Sequence, residues 1–520
     1  MAADFDLAIV GSGMGGSLLA LIARRLGKSV LLIEKGKHPR FAIGESSTPL
    51  ANLALEELAR RYELPRLLPL TKWGLWRKEY PELGCGLKRG FSFFHHQRGQ
   101  PWTSTPERRN ELLVAASPHD AIADTHWFRA DVDQFLVNEA VAEGVEYIDH
   151  AHLNGVEFTG DSVGVTGSRQ DVPLLARARL IVDASGPNGF LQKSLNLPGS
   201  SFPTMPPTQG LFTHFVDVRP FSDIHGEANG LPYPIDSAAV HHVFDGGWIW
   251  VLRFNNGITS AGVAAGEAVA NELKFSAGAA GWERLLAMLP SVQQQFRSAC
   301  AVQPFIHAPR LSFRTTQVAG RCWAMLPHTA GFVDPLLSTG FPLNLLGIGR
   351  LAQCLEAGKD WEHEETLKDY SVQTLKELDF TALLVSALYA SMDDFEVFTA
   401  LSLLYFAAAS YGEVMRRLGK QAHTFLLCDH PRFAPPAHRI VTLALRKPRT
   451  STSRSELLSE IKSVIEPFDL AGLNDAERRN WHPVLASDLL RAGSKIGVEA
   501  DSINNMLQRS GFYRQEQSAE

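Results

Sequence analysis

Residues 5–34 read FDLAIVGSGMGGSLLALIARRLGKSVLLIE, and this stretch decides the fold. Phe5–Val10 is a short apolar run, residues 11–16 form a glycine-rich turn, and Ser17–Leu26 carries helical periodicity until Gly27 ends it. Ser29–Glu34 is a second strand. Strand, turn, helix and strand make a βαβ unit with parallel strands and a right-handed crossover. The glycines have separate jobs. Gly11 permits the tight turn, Gly13 lets the backbone approach a pyrophosphate, and Gly16 lets the helix pack on the strand. The helix N-terminus then faces the phosphate charge. Glu34, closing the second strand, is placed to accept hydrogen bonds from an adenosine ribose.

Two further strand-to-loop transitions belong with this unit. Ala178–Val182 leads into DASG at 183–186, and Cys322–Leu326 leads towards GFVDP at 331–335. Open α/β sheets bind ligands beyond the carboxyl ends of their strands, so three distant segments are predicted to meet at one site. Between them, runs such as GLFTHFVDV (210–218) and WIWVLRF (248–254) alternate in the manner of a mostly antiparallel sheet. From Leu351 onward the pattern is helical, with Pro435–Arg454 read as a connection and Arg514–Glu520 as a disordered tail. The predicted fold is α/β, a Rossmann-like nucleotide-binding domain formed by residues 1–200 and 301–358. Residues 201–300 are its inserted substrate-domain sheet, residues 359–520 a C-terminal helical region, and a lysine-bearing segment lies near 84–94.

Composition narrows the function. Hydrophobic residues make up 45% and charged residues 20%, as in a soluble globular protein. The net charge of -6 is spread without long runs of one sign, which argues against nucleic acid and anionic membranes as partners. Five scattered cysteines with no CxxC spacing argue against a zinc site and a disulfide framework, so no metal is expected and the cytoplasm fits. The N-terminus has the character of neither a signal nor a transit peptide. The apolar region Phe380–Gly412 is broken by Asp393, Asp394 and Glu396, and is read as buried helices with no spanning segment, with attachment to a membrane surface as the alternative.

The glycine fingerprint does not by itself separate FAD from NAD. Most of the first 350 residues resemble the FAD monooxygenase superfamily of the p-hydroxybenzoate hydroxylase type, through WFRADVDQFL at 127–136, DASG and GFVDP. The resemblance implies an FAD cofactor, with Arg129 holding its phosphates, Asp183 in the second flavin motif, and Asp334 by the ribityl or phosphate groups. Within that superfamily the chain looks most like the flavin-dependent halogenases of tryptophan, phenols and pyrroles. FVDPLLSTG at 332–340 matches their F-x-x-P-x-x-S-x-G pattern, and GESSTP at 44–49 resembles their G-E-S-x-x-P segment. CGLKRGFSFF at 85–94 resembles the segment bearing their essential lysine.

This resemblance implies a role for each matched residue. Amides at Thr339 and Gly340 would hold chloride or bromide, Arg40 and Ser46 would lie by the FAD, and Ser338 would hydrogen-bond along the oxidant's route to catalytic Lys88. Phe91, Phe93 and Phe94 would line a dry pocket, with Trp248 and Trp250 walling the flavin from substrate. Trp248-x-Trp250-x-Leu252 departs from the family's W-x-W-x-I-P, since Arg253 replaces the proline. Leu337 stands where tryptophan halogenases carry a glutamate, which argues against free tryptophan as substrate. The implied reaction uses FAD reduced by a separate flavin reductase, oxygen and halide to form hypohalous acid. Lys88 then directs it onto an electron-rich phenol or pyrrole, free or tethered to a carrier protein. An FAD-dependent monooxygenase, a geranylgeranyl-reductase-like enzyme and a non-catalytic redox sensor share the FAD motifs and remain alternatives.

Overall fold

Strands Phe5–Val10 and Val30–Ile33 lie side by side and parallel, with Leu7 opposite Val30 and Val10 opposite Ile33. A computed structural model describes residues 4–513, apart from 188, 227, 358–362, 421–423 and 448–449. In it the parallel sheet runs in the order Trp323–Met325, Val172–Asp183, Phe5–Val10, Val30–Ile33, Glu146–Ile148. The hairpin Ala151–Thr159/Ser162–Arg169 extends it by antiparallel pairing onto Val172–Asp183. Helix Met14–Arg25 buries every residue from Met14 to Ala23, which a glycine-, alanine- and leucine-rich sequence permits. Val10, Asp183 and Met325 end three adjacent strands at one edge, so the three predicted segments do converge.

The second sheet draws on more of the chain than residues 201–300. Its order is Cys300–Ala301, Thr208–Val216, Thr259–Gly266, Gly247–Arg253, Ala239–Phe244, Gly90–His95, Glu111–Ala115, Trp481–His482. Two strands therefore come from the first 120 residues and one edge from the C-terminal region. Strand pairing alone decides this. Gly90–His95 runs parallel to Ala239–Phe244, a long-range pairing without a local turn to announce it. Along Gly247–Arg253 the alternation holds as predicted: Trp248, Trp250 and Leu252 face one core, Ile249 and Val251 the other.

Helices Glu364–Ala390 and Phe395–Arg417 follow the sheets. Asp394 caps the second by accepting from Val397 N, and Arg454 grips the same carboxylate. Phe395–Arg417 is long and apolar enough by length and composition to cross a membrane, but 72% of its most apolar window is buried within the protein. The expected connection at 435–454 is mostly helical. Ala434–Leu445 begins with Pro435 and Pro436 in its first turn, where the missing amide hydrogens cost no helical bond, and Ser451–Ile465 starts on a Thr450–Ser453 capping box. Residues 448–449 and the polar tail 514–520 lie outside the described residues.

Candidate active site

The glycine turn has the geometry its sequence demands. Gly11 has φ 100°, and a Cβ there would lie 2.5 Å from the Ala184 carbonyl oxygen. A Cβ on Gly16 would strike the Gly11 carbonyl. Gly13 differs, because its bare face looks at Arg40 Nη2 (3.4 Å) and Arg129 Nη2 (3.5 Å) from the ideal Cβ position. Two guanidiniums, the Asp133 carboxylate that pairs with Arg129, and a helix N-terminus thus surround one unsubstituted Cα. Arg129 is fixed there by a bidentate bond to Asp133 (2.8 and 2.9 Å) and by donating to the carbonyls of Ile43 and Gly44 (both 3.1 Å). Arg40 Nε is buried without a partner. An FAD pyrophosphate fits this cradle.

Glu34 accepts from Ser12 N (3.1 Å), Ser12 Oγ (3.0 Å) and Gly36 N (3.0 Å). Burial pushes its carboxyl up, but Arg40 and these donors outweigh that and hold it below the usual range, so it is an anionic acceptor at neutral pH. Asp183 instead braces its own loop, accepting from Ser185 N (2.9 Å) and Leu191 N (2.7 Å). Its part in the site is to shape the DASG turn beside Gly11.

Lys88 ends strand Cys85–Lys88 and is fully buried. Its Nζ donates to the Ser47 carbonyl (2.6 Å) and to Ser338 Oγ (3.4 Å), and sits 3.9 Å from the Phe91 ring centroid. This places the lysine segment, the 44–49 segment and the 332–340 loop in one cluster. Directly across the antiparallel ribbon is Asp124, which accepts from Asn52 Nδ2 (2.8 Å). Burial drives the Lys88 ammonium down and the Asp124 carboxyl up, each towards neutrality, while their attraction opposes it. His126 and His241 also face this cluster, and burial followed by the Lys88 charge lowers both to about 3. Neutral imidazoles surround the amine. Ser46 bridges to His126 and keeps a buried hydroxyl without a partner, whereas the adjacent Glu45 binds His214 (2.9 Å).

The 332–340 loop is held in an unusual backbone state. Leu337 (φ 64°) and Ser338 (φ 55°) are both left-handed, at a cost of about 1–3 kcal/mol each. Tyr405 donates to the Leu337 carbonyl (3.1 Å), fixing the turn from the C-terminal helix. Thr339 stands at the N-cap position of helix Gly340–Glu356 without a side-chain capping bond, and nothing lies within 4 Å of the Cβ position of Gly340. The amides of this first turn have no intrahelical acceptor, so the helix start can bind an anion. Asp334, which the resemblance sets by the ribityl or phosphate groups, finds its hydrogen-bond donors within the protein. Its carboxylate is buried and accepts from Leu336 N (3.0 Å), Trp248 Nε1 (3.3 Å) and the Tyr389 hydroxyl (2.8 Å), so it ties the loop to the aromatic wall. Burial raises its carboxyl to about 7 against those three donors.

Phe91 and Phe93 stack with each other (6.2 Å) and with His241 (5.8 and 4.4 Å). Phe94 does not join them. As the next residue on a strand it faces the opposite core, against Trp102 and Phe221. Trp248 lies beside His241 (5.2 Å) and Trp250 (5.7 Å), extending the wall. Phe91 also lines a largely apolar cavity of about 140 Å³, with Thr48, Leu50, Tyr405, Phe406, Glu413 and His482 among its walls. Sequence reasoning missed Asp124, Asn52, Tyr389 and Tyr405. Only strand pairing and helix docking bring them here, and no local motif marks them.

A parallel-sheet cleft with a pyrophosphate cradle defines a dinucleotide-binding protein. Residues 6–335, more than half of the chain, match the FAD dependent oxidoreductase family; the chain belongs to it, and FAD is its cofactor. Its relatives are more particular. It is 29% identical over 418 residues to the monodechloroaminopyrrolnitrin halogenase PrnC of Pseudomonas fluorescens, covering 79% of this chain and 72% of that one. Tetracycline 7-halogenase of Kitasatospora aureofaciens is 27% identical over 452 residues, with 82% and 79% covered. The crystal structure of halogenase PltM with phloroglucinol and FAD superposes with a TM-score of 0.81 at 24% identity, over 91% of this chain and 99% of that one, and so shares its fold.

Proposed function

We propose that the protein is a flavin-dependent halogenase acting on an electron-rich aromatic. The observation that carries this reading is the 3.4 Å approach of Lys88 Nζ to Ser338 Oγ, which joins the two segments most distinctive of such enzymes across 250 residues of chain. The halogenase relatives support it.

Once bound and reduced by a separate flavin reductase, FAD would activate oxygen, the oxidant that converts halide to hypohalous acid with release of water. Gly11, Gly13, Gly16, Glu34, Arg40, Ser46 and Arg129 would hold the cofactor, and Asp183 would support the turn beside it. The amides at Thr339 and Gly340 hold the chloride or bromide at the positive end of the helix. Trp248, Trp250, Phe91 and Phe93 keep water out, which confines an oxidant that would otherwise react indiscriminately. Lys88 then orients the hypohalous acid by hydrogen bonding, or captures it as a haloamine with loss of water. Burial helps the second route, because it lowers the cost of holding the amine uncharged. The aromatic carbon takes the halogen, and the ring loses a proton.

The test is incubation with FAD, a flavin reductase, NADH, bromide and a panel of phenols and pyrroles, free and carrier-bound, read by mass spectrometry. Brominated product is expected. Hydroxylated product would identify a monooxygenase, and absence of oxygen-dependent flavin turnover would favour a redox sensor.

A further inference from the structure

The cavity beyond Phe91 is closed by residues that the motifs do not explain. Phe91 pairs with Val114, and Val114 with His482, so three strands set these side chains in one rank on the cavity wall. At about 4.8 Å between strands, His482 stands roughly 10 Å from Phe91, whose ring contacts Lys88. His482 is 3% exposed. Neither ring nitrogen makes a hydrogen bond of normal geometry; the Gly472 backbone offers one nitrogen a weak contact, and Arg478, Asp469 and Asp475 are the charged groups that act on the ring. A buried imidazole in this state favours a ligand that completes its hydrogen bonding. Burial lowers its pKa to about 4, so at neutral pH it offers one donor and one acceptor nitrogen.

The remaining wall sets the ligand's character. Leu50, Phe406, Val414 and Leu485 are apolar, and the carboxylate of Glu413 is engaged by Arg417 at 2.7 Å. Thr48 and Ser410 add two hydroxyls, but a charged ligand would lose most of its hydration against the apolar majority of the wall. The distance from the lysine side to His482 exceeds one aromatic ring.

We propose that His482 is a specificity-determining residue that binds a hydroxyl or amino group at the far end of a free, uncharged, two-ring aromatic substrate. The other end then lies against Phe91 on the Lys88 side. This deepens the halogenase reading and rests on it for the identity of the site as a substrate pocket.

The test compares 4-phenylphenol, 4-aminobiphenyl and biphenyl as probes with FAD-loaded wild type, His482→Leu and His482→Gln, by calorimetric binding and by steady-state bromination. Wild type should bind the hydroxylated or aminated probe about tenfold more tightly than biphenyl, the worth of one good hydrogen bond. His482→Leu should erase that preference, and His482→Gln, which keeps a donor and an acceptor, should retain part of it. The loss should fall on KM more than on kcat. An equal preference in His482→Leu, no preference in wild type, or bromination of carrier-bound aromatics alone would overturn the proposal. Should His482→Leu fail to fold by circular dichroism, the wild-type preference and the glutamine variant still decide. Brominated product with no His482 effect refutes only this proposal. A His482-dependent preference without any halogenated product refutes the halogenase reading instead.

Discussion

The two ends of the cleft are built in opposite ways. At the nucleotide end, Gly11, Gly13 and Gly16 lie within six consecutive residues, and each acts through the backbone space it leaves open. At the lysine end, Lys88 meets Ser338, Ser47 and Phe91 through two different sheets and a helix start. A binding site made from local backbone geometry is compact and can be read from a short stretch. One made from sheet register and helix docking has parts that acquire meaning only when the chain has folded.

The difference can be tested by breaking each end separately. The largest effect should come from Gly16→Val, whose side chain has no room against the Gly11 carbonyl and should prevent folding. Gly13→Val should fold with a normal far-UV spectrum yet lose FAD, because its neighbours are the ends of the Arg40, Arg129 and Asp133 side chains. Stoichiometric FAD in that variant would show that the pyrophosphate lies elsewhere.

At the other end, Phe93→Ala and Phe94→Ala make a matched pair, both fully buried on one strand. Each should cost about 3–5 kcal/mol in urea unfolding. Only Phe93→Ala should also change the distribution of halogenated products, since Phe94 faces the other core. A product change in both would mean that the two faces are not functionally separate.

A smaller effect belongs to Asp334. Its carboxyl is raised to about 7 from an ordinary 3.8, so its stabilising contribution is fully present below the lower value and is lost as pH rises through about 7. Asp334→Asn should lessen the fall in unfolding free energy between pH 5 and pH 8, by on the order of 2 kcal/mol. Equal falls in wild type and variant would contradict the assignment.

Much of this architecture was legible beforehand. The βαβ opening, the three strand ends and the Trp248/Trp250 alternation follow from short-range periodicity. The inserted sheet was only partly legible, because Gly90–His95 and Trp481–His482 join it through long-range pairing. Phe94 was misplaced by reading composition where strand alternation decides the face. Asp334 sits in a recognisable motif, but its partners Trp248 and Tyr389 arrive from a sheet and a distant helix, and they determine what its carboxylate does.

The central claim is that Lys88 acts on the halogen after the flavin has done its work. The direct measurement is the ratio of halogenated product to NADH consumed, for wild type, Lys88→Ala and Lys88→Arg, with FAD content measured in each. Both variants should keep FAD and oxygen-dependent flavin turnover while product falls by about 100-fold or more. Arginine keeps the charge but offers no amine to halogenate. Wild-type product yield in either variant would contradict the account.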